Sequence, residues 1–327
     1  MYGYEVFHED ILKTLISSLK EGHTQHAYIF EGDEGIGKKK AAALFSAALV
    51  CENPALAPCG ECPACIGAKA NTNPDIKYIN SGDKKSIGVE VMREIVADAY
   101  VRPFESKKKV YIIENGGLIT EQAQNSFLKI LEEPPEYTVF IILVSNLSML
   151  LQTIISRCTH IRFMPLKKDV IENYIKSHYP EADIRFLEKY SEGNPGKVDE
   201  IMNNDRFFPL RLSALKHITP LLSRHRISAF KIADFLEENK EDSSLIFEFW
   251  QSFLRDIIFI QNDAKASIIN SDLTDELEML AGKIPHQLCF TAANYLNHAA
   301  DMQRRYVNLR AIALYLSLSI KKEGKYN

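Results

Sequence analysis

The run Gly32-Asp33-Glu34-Gly35-Ile36-Gly37-Lys38-Lys39-Lys40 narrows the choice of fold for this chain more than any other. It follows the apolar run Ala27-Tyr28-Ile29-Phe30, which reads as a buried strand, and precedes Ala41 to Val50, which reads as a helix. Strand, Gly-rich turn, Lys and helix in that order form the P-loop pattern G-x-x-x-x-G-K-[ST], whose backbone amides cradle phosphates. Gly32, Gly37 and Lys38 stand where the pattern requires them and are the candidate phosphate-binding residues. The last position departs from it, with Lys39 in place of Ser or Thr. That hydroxyl normally holds Mg²⁺ against the β- and γ-phosphates, and an ammonium cannot ligate a cation. Three consecutive lysines at a helix start also oppose the helix dipole, which a bound anion would relieve. Phosphate or nucleotide binding therefore stays open, while Mg²⁺-dependent hydrolysis is not expected.

A hydrolytic P-loop site also needs acidic residues at the end of a later apolar strand. Here the strand Val110-Tyr111-Ile112-Ile113 ends in Glu114-Asn115. Glu114 could serve on the metal side, but an amide at Asn115 is no base. Two separate parts of the hydrolytic machinery are thus altered in disabling ways.

Around these motifs, strands alternate with helices. Helical periodicity covers residues 1–25 through Ile11, Leu12, Leu15, Ile16 and Leu19. A short strand is expected at Asp75 to Asn80, a helix face at Ile87, Val91, Met92, Ile95, Val96 and Ala99, and a strand from Lys109. A helix from about Thr120 to Glu133 must stop at Pro134-Pro135. Thr138 to Val144 is a further apolar strand, Met149 to Ile155 a short helix, and His160 to Phe163 closes the series. Strands apolar along their length, alternating with helices, argue for an α/β domain with a parallel sheet covered on both faces, over about residues 1–165. Beyond Pro165 strand signals cease. Lys168 to His178, Ile184 to Tyr190 and a segment from Lys197 form a small helical domain over 166–207. Residues 208–327 read as all-helical, with stripes at Phe247, Trp250, Phe253, Leu254 and Ile257 and at Leu309, Ile312, Ala313, Leu316 and Ile320. Such stripes serve as core or subunit contact.

Four of the six cysteines, Cys51, Cys59, Cys62 and Cys65, fall in one short segment. Thiolates at this spacing suit tetrahedral Cys₄ coordination of a structural Zn²⁺, with no open position for catalysis. The segment also holds Pro54, Pro58, Gly60 and Pro63 and is not expected to form core. A net charge of −4 argues against a chain basic all over, and the clusters Lys107-Lys108-Lys109 and Lys167-Lys168 read as solvated faces. Without a run of about 18 apolar residues no membrane span is expected. Met1-Tyr2-Gly3-Tyr4-Glu5 has no basic-then-apolar leader pattern, so a cytoplasmic protein is expected.

Taken together, these phrases resemble the AAA+ clamp-loader subunits of bacterial DNA polymerase III. The likeness runs through His26 to Gly32, the Cys₄ segment at 51–65, Asn73-Pro74-Asp75, Asn125 to Pro135 and Thr153-Ile154-Ile155-Ser156-Arg157-Cys158. Within that family the motor kind (tau/gamma) has a complete Gly-Lys-Thr P-loop and an Asp-Glu strand end. The delta-prime kind keeps the fold, the zinc module and the Ser-Arg-Cys phrase but has lost hydrolysis, and Lys39 and Asn115 are similar to that kind. The resemblance implies that Arg157 is an arginine finger, reaching in trans to ATP held by a neighbouring motor subunit. It implies a lid domain at 166–207, where Lys197 stands in place of the family's second sensing arginine, and an oligomerising collar at 208–327. It further implies motor (tau/gamma) and delta partners in a hetero-pentamer that loads a sliding clamp onto primed DNA, with DNA held through backbone phosphates. Two other readings remain at this point: an active clamp-loader ATPase with a divergent P-loop using Glu114, and a zinc-ribbon nucleic-acid binder.

Overall fold

In the computed structural model, which describes residues 7–82, 85–222 and 227–323, five strands pair in parallel. They are β1 (Ala27–Glu31), β2 (Ile76–Ile79), β3 (Lys109–Ile113), β4 (Thr138–Val144) and β5 (Thr159–Arg162), in the order β2-β3-β4-β1-β5. The register sets Ile29 against Ile142 and Ile112 against Ile141. Because side chains alternate across a strand, each central strand feeds both faces. Tyr28, Phe30, Val110, Ile112, Val139 and Ile141 pack on one side. They meet α1 (Glu9–Lys20), α2 (Lys38–Val50) and α3 (Pro63–Lys69) through Leu12, Leu15, Phe45, Leu49 and Ala64. Ile29, Tyr111, Ile113, Phe140 and Ile142 pack on the other. There they meet α4 (Val89–Ala99) and α5 (Glu121–Glu132) through Met92, Ile95, Phe127 and Ile130.

The expected parallel sheet is present, with differences that burial explains. Strands β1, β3 and β4 are apolar and buried, whereas the edge strands β2 and β5 carry polar residues and are only partly covered. Ile87 lies outside α4 and instead bridges Ile119. The helix expected from Met149 divides into a 3-10 turn at Leu147–Met149 and α6 (Gln152–Ile155). Thr120 caps α5, its side chain accepting from the amide of Ala123, and the helix ends before Pro134. Lys109 corrects the reading of a solvated lysine face: it is buried, and its Nζ pairs with Asp98 at 3.0 Å. Residues 1–6, including the N-terminal pentapeptide, lie outside the described residues.

The chain divides into two units, Met1–Ile171 with Gly193–Lys197 and Glu172–Glu192 with Val198–Asn327. The chain passes between them within α7 (Lys168–His178) and α9 (Pro195–Met202). The second unit holds α8 (Ile184–Ser191), α10 (Phe207–Leu222), α11 (Ile227–Glu238), α12 (Ser243–Gln261), α13 (Thr274–Ala281), α14 (His286–Arg304) and α15 (Leu309–Glu323). Both apolar stripes are core of this unit: Phe247, Trp250, Phe253, Leu254 and Ile257 are all buried, as are Leu309, Ile312, Ala313, Leu316 and Ile320.

An ionic centre absent from the sequence reading sits in that core. Arg211 on α10 is 1% exposed and donates to both carboxylate oxygens of Asp272, at 2.7 and 2.8 Å. It also donates to Oδ1 of Asn270 at 2.7 Å, and its guanidinium lies 4.0 Å from the ring of Phe186 on α8. Asn270 in turn donates to the fully buried Asp256. Charges removed from water are tolerated here because the fork of Arg211 is matched donor for acceptor. Replacing it with Ala strands the Asp272 carboxylate and opens a void. The expected loss for Arg211→Ala is about 3–5 kcal/mol in urea unfolding followed by Trp250 fluorescence.

Candidate functional site

The P-loop follows from the pairing of β1. Gly32 has φ 154°, and a Cβ there would stand 2.6 Å from the carbonyl oxygen of Phe163, so only glycine fits. Gly37, with φ 108°, turns the chain into α2. The remaining geometry closes the loop on itself. Lys38 is 9% exposed, and its Nζ donates to the carbonyls of Gly32 and Asp33, the latter at 2.7 Å. Burial lowers its pKa, opposed by the charges of Asp33 and Glu34. Lys39 reaches the end of β3, where its Nζ meets Oε1 of Glu114 at 2.7 Å. The ammonium of Lys39 thus meets the carboxylate at the end of β3. Asn115 is exposed and its side chain caps nothing.

Two further segments lie on the loop. Nε2 of His8 contacts the carbonyl of Ile36 at 2.9 Å, and Nζ of Lys40 lies 5.2 Å from the ring centre of Phe7. From the other direction, Asn194 donates to the carbonyl of Glu34 at 2.7 Å, and the amide of Gly196 donates to the carbonyl of Gly35 at 3.1 Å. Lys197 is anchored there through its amide, which donates to Asn194 Oδ1.

The four cysteines converge as their spacing suggests. Their sulfurs all lie within 4.8 Å of one another, and those of Cys59 and Cys65 are 3.9 Å apart. Tetrahedral Zn–thiolate bonds of about 2.3 Å place sulfurs about 3.8 Å apart, so the donor set fits a metal ion of this kind. Backbone amides donate to the sulfurs: Cys62 N to Cys59 Sγ and Cys65 N to Cys62 Sγ, each at 3.4 Å. Such bonds favour thiolate, and amides of Glu61 and Cys62 draw the pKa of Cys59 down to about 6. Burial instead pushes Cys51 up to about 12. The expectation that this segment forms no core is corrected: Cys51, Ala57 and Cys65 are buried with Ala48, because α1 and α2 offer an apolar face beneath them.

Arg157 lies just beyond α6 and is engaged on its own chain. One terminal nitrogen donates to Oε1 of Glu132 at 2.6 Å, and the other to the Thr153 carbonyl at 2.8 Å. Glu132 ends α5, so the Leu-Glu-Glu-Pro-Pro phrase and the Ser-Arg-Cys phrase meet in space. Gln124, on the same helix, is buried; it accepts from the amide of Leu151 at 2.7 Å and donates to the carbonyl of Met149. Sequence reasoning missed the pairing of Glu132 with Arg157 and of Gln124 with Met149 and Leu151, since these partners lie about 25 residues apart in the chain. Among the described residues, no hydrogen bond or ion pair joins Arg157 to Gly32–Lys40. Burial pushes the neighbouring Cys158 thiol up to about 12, which favours its protonated form.

A family described as DNA polymerase III, delta subunit, matches residues 7–167, and one described as its C-terminal part matches residues 207–309. The chain is 27% identical to the DNA polymerase III subunit delta' of Bacillus subtilis, over 95% of both chains. It is 37% identical to the tau subunit of the same organism over 50% of this chain, which spans only 29% of that relative. A solved gamma subunit-related protein from Thermotoga maritima is similar at 15% identity and a TM-score of 0.49, covering 95% of this chain and 98% of its own. Among the described residues, no helix is long and apolar enough to cross a membrane.

If the cysteines hold a metal, the purified chain is expected to carry about one ion per molecule by elemental analysis. Cys62→Ser should lose the ion and lower the melting temperature, whereas Cys158→Ser should retain it.

Proposed function

We infer that this chain, which belongs to the delta-subunit family of DNA polymerase III, serves as a clamp-loader subunit that does not hydrolyse ATP. The observation that carries this reading is the ion pair between Lys39 and Glu114. The Lys39 ammonium pairs with the carboxylate at the site's acidic edge, and Lys38 donates to the loop's own carbonyls. Both features oppose a Mg²⁺-nucleotide, in which hydroxyl, carboxylate and phosphate share the cation. The reading as an active ATPase using Glu114 is disfavoured for the same reason.

In this proposal Arg157 is the working group. It is a guanidinium on a surface turn, held by α5 and α6, and it acts on the terminal phosphate of ATP bound by a neighbouring motor subunit of the tau/gamma kind. The cysteine cluster holds a structural Zn²⁺. Residues 166–207 serve as lid and 208–327 as collar, joining the motor and delta subunits in a hetero-pentamer. The assembly loads a sliding clamp onto primed DNA in the cytoplasm, the DNA being held through backbone phosphates.

The purified chain alone should show no Mg²⁺-dependent ATP turnover. Arg157→Ala, while leaving the melting temperature unchanged, should lower the ATPase of the reconstituted complex by about tenfold or more. An unaffected complex would remove the finger role. Steady turnover by the isolated chain, lost on Lys38→Ala, would restore the ATPase reading.

A further inference from the structure

We propose that Glu132 is a lock on Arg157, holding the guanidinium on its own subunit and setting how readily it is given to a neighbour's phosphate. This deepens, and rests on, the reading of Arg157 as a finger in trans. The carboxylate lies 2.6 Å from one terminal nitrogen of the fork, while the other is held by the Thr153 carbonyl at 2.8 Å and Ser156 Oγ at 3.3 Å. Both arms of the fork are therefore engaged within the chain. A guanidinium grips a carboxylate and a phosphate through the same planar edge, so the two anions compete for it. Glu132 therefore competes with a phosphate for that terminal nitrogen, which is fully offered only when the carboxylate lets go.

The position of Glu132 favours a lock over an incidental surface pair. It is the last residue of α5, where the helix dipole is negative and a carboxylate is disfavoured unless a cation meets it. Its helix cannot drift, because the preceding Ile130 and Leu131 are buried under the sheet. Arg157 is equally constrained, since Gln124 anchors the entry to α6 at Leu151. The side chains are 33% and 52% exposed for Arg157 and Glu132, so the pair is open to an incoming anion and weak enough to exchange. Glu132 is thus a positioning residue that acts through Arg157 alone.

The test is the ATPase of the complex reconstituted from full-length subunits, with Glu132→Gln, Arg157→Ala and the double variant. Glutamine keeps the shape and removes the charge. Glu132→Gln is expected to raise turnover about two- to fivefold, the range an exposed ion pair commands. It should leave the melting temperature unchanged, and the rise should shrink as salt is added. The double variant should match Arg157→Ala alone. Unchanged or lowered turnover with Glu132→Gln, while Arg157→Ala still loses activity, would overturn the lock and leave the finger standing. A rise that persists in the Arg157→Ala background would also overturn the lock, because the effect would not pass through the arginine. Full activity in Arg157→Ala would overturn the finger itself, and the lock with it.

Discussion

The pairing of Ala27–Glu31 between two parallel neighbours is the constraint on which the rest of the first unit depends. β1 is bonded to β4 on one edge and β5 on the other, so its end cannot shift without breaking both ladders. At that end the amide of Gly32 donates to the carbonyl of Val144, and the amide of Phe163 donates to that of Glu31. The Gly-rich turn therefore begins at a point fixed in space, hemmed by backbone that leaves no room for a Cβ. The packing at that point fixes the shape of the turn. The sheet needs the turn in order to return into α2, whose Ala42, Phe45 and Leu49 cover one of its faces.

The loop's carbonyls and the Glu114 carboxylate carry negative character, and lysines satisfy both. Buried or half-buried polar groups must find partners, and an ammonium on a flexible stem is well suited to supply them. Lys38 and Lys39 divide the task, one turned onto the loop and the other onto the end of β3. The same logic recurs elsewhere. Lys109 is buried against Asp98, and Arg211 is buried against Asp272 and Asn270. In each case a cation in the interior is tolerated because matched acceptors meet it there.

Much of the architecture was legible from local pattern. Thr138 to Val144 is the strand its β-branched and aromatic run describes, Pro134-Pro135 ends α5, and α7 occupies Lys168–His178 as its periodicity implies. The edges were legible as well: Thr159–Arg162 is nearly all exposed, yet it lies within a residue of the strand read at His160 to Phe163, and it pairs with β1. The cysteine segment misled in part: its prolines and glycines signal a loop, yet Cys51, Ala57 and Cys65 reach an apolar surface that α1 and α2 supply. Lys109 misled for a similar reason, since three lysines in a row resemble a solvated face until a strand directs the third inward.

What the sequence determined by itself concerns neighbours in the chain. Gly32, Gly37 and Lys38 match a P-loop pattern, Lys39 stands where that pattern has Ser or Thr, and the cysteine spacing suits a metal, because each property belongs to a few consecutive residues. What only the tertiary structure decided concerns charges distant in sequence. That Lys39 answers Glu114, that Arg157 rests on Glu132, and that Arg211 centres the helical unit follow from distance and burial, which set the energy of a charge pair. Those quantities exist only after the sheet and helices have brought residues 39 and 114, 132 and 157, and 211 and 272 together.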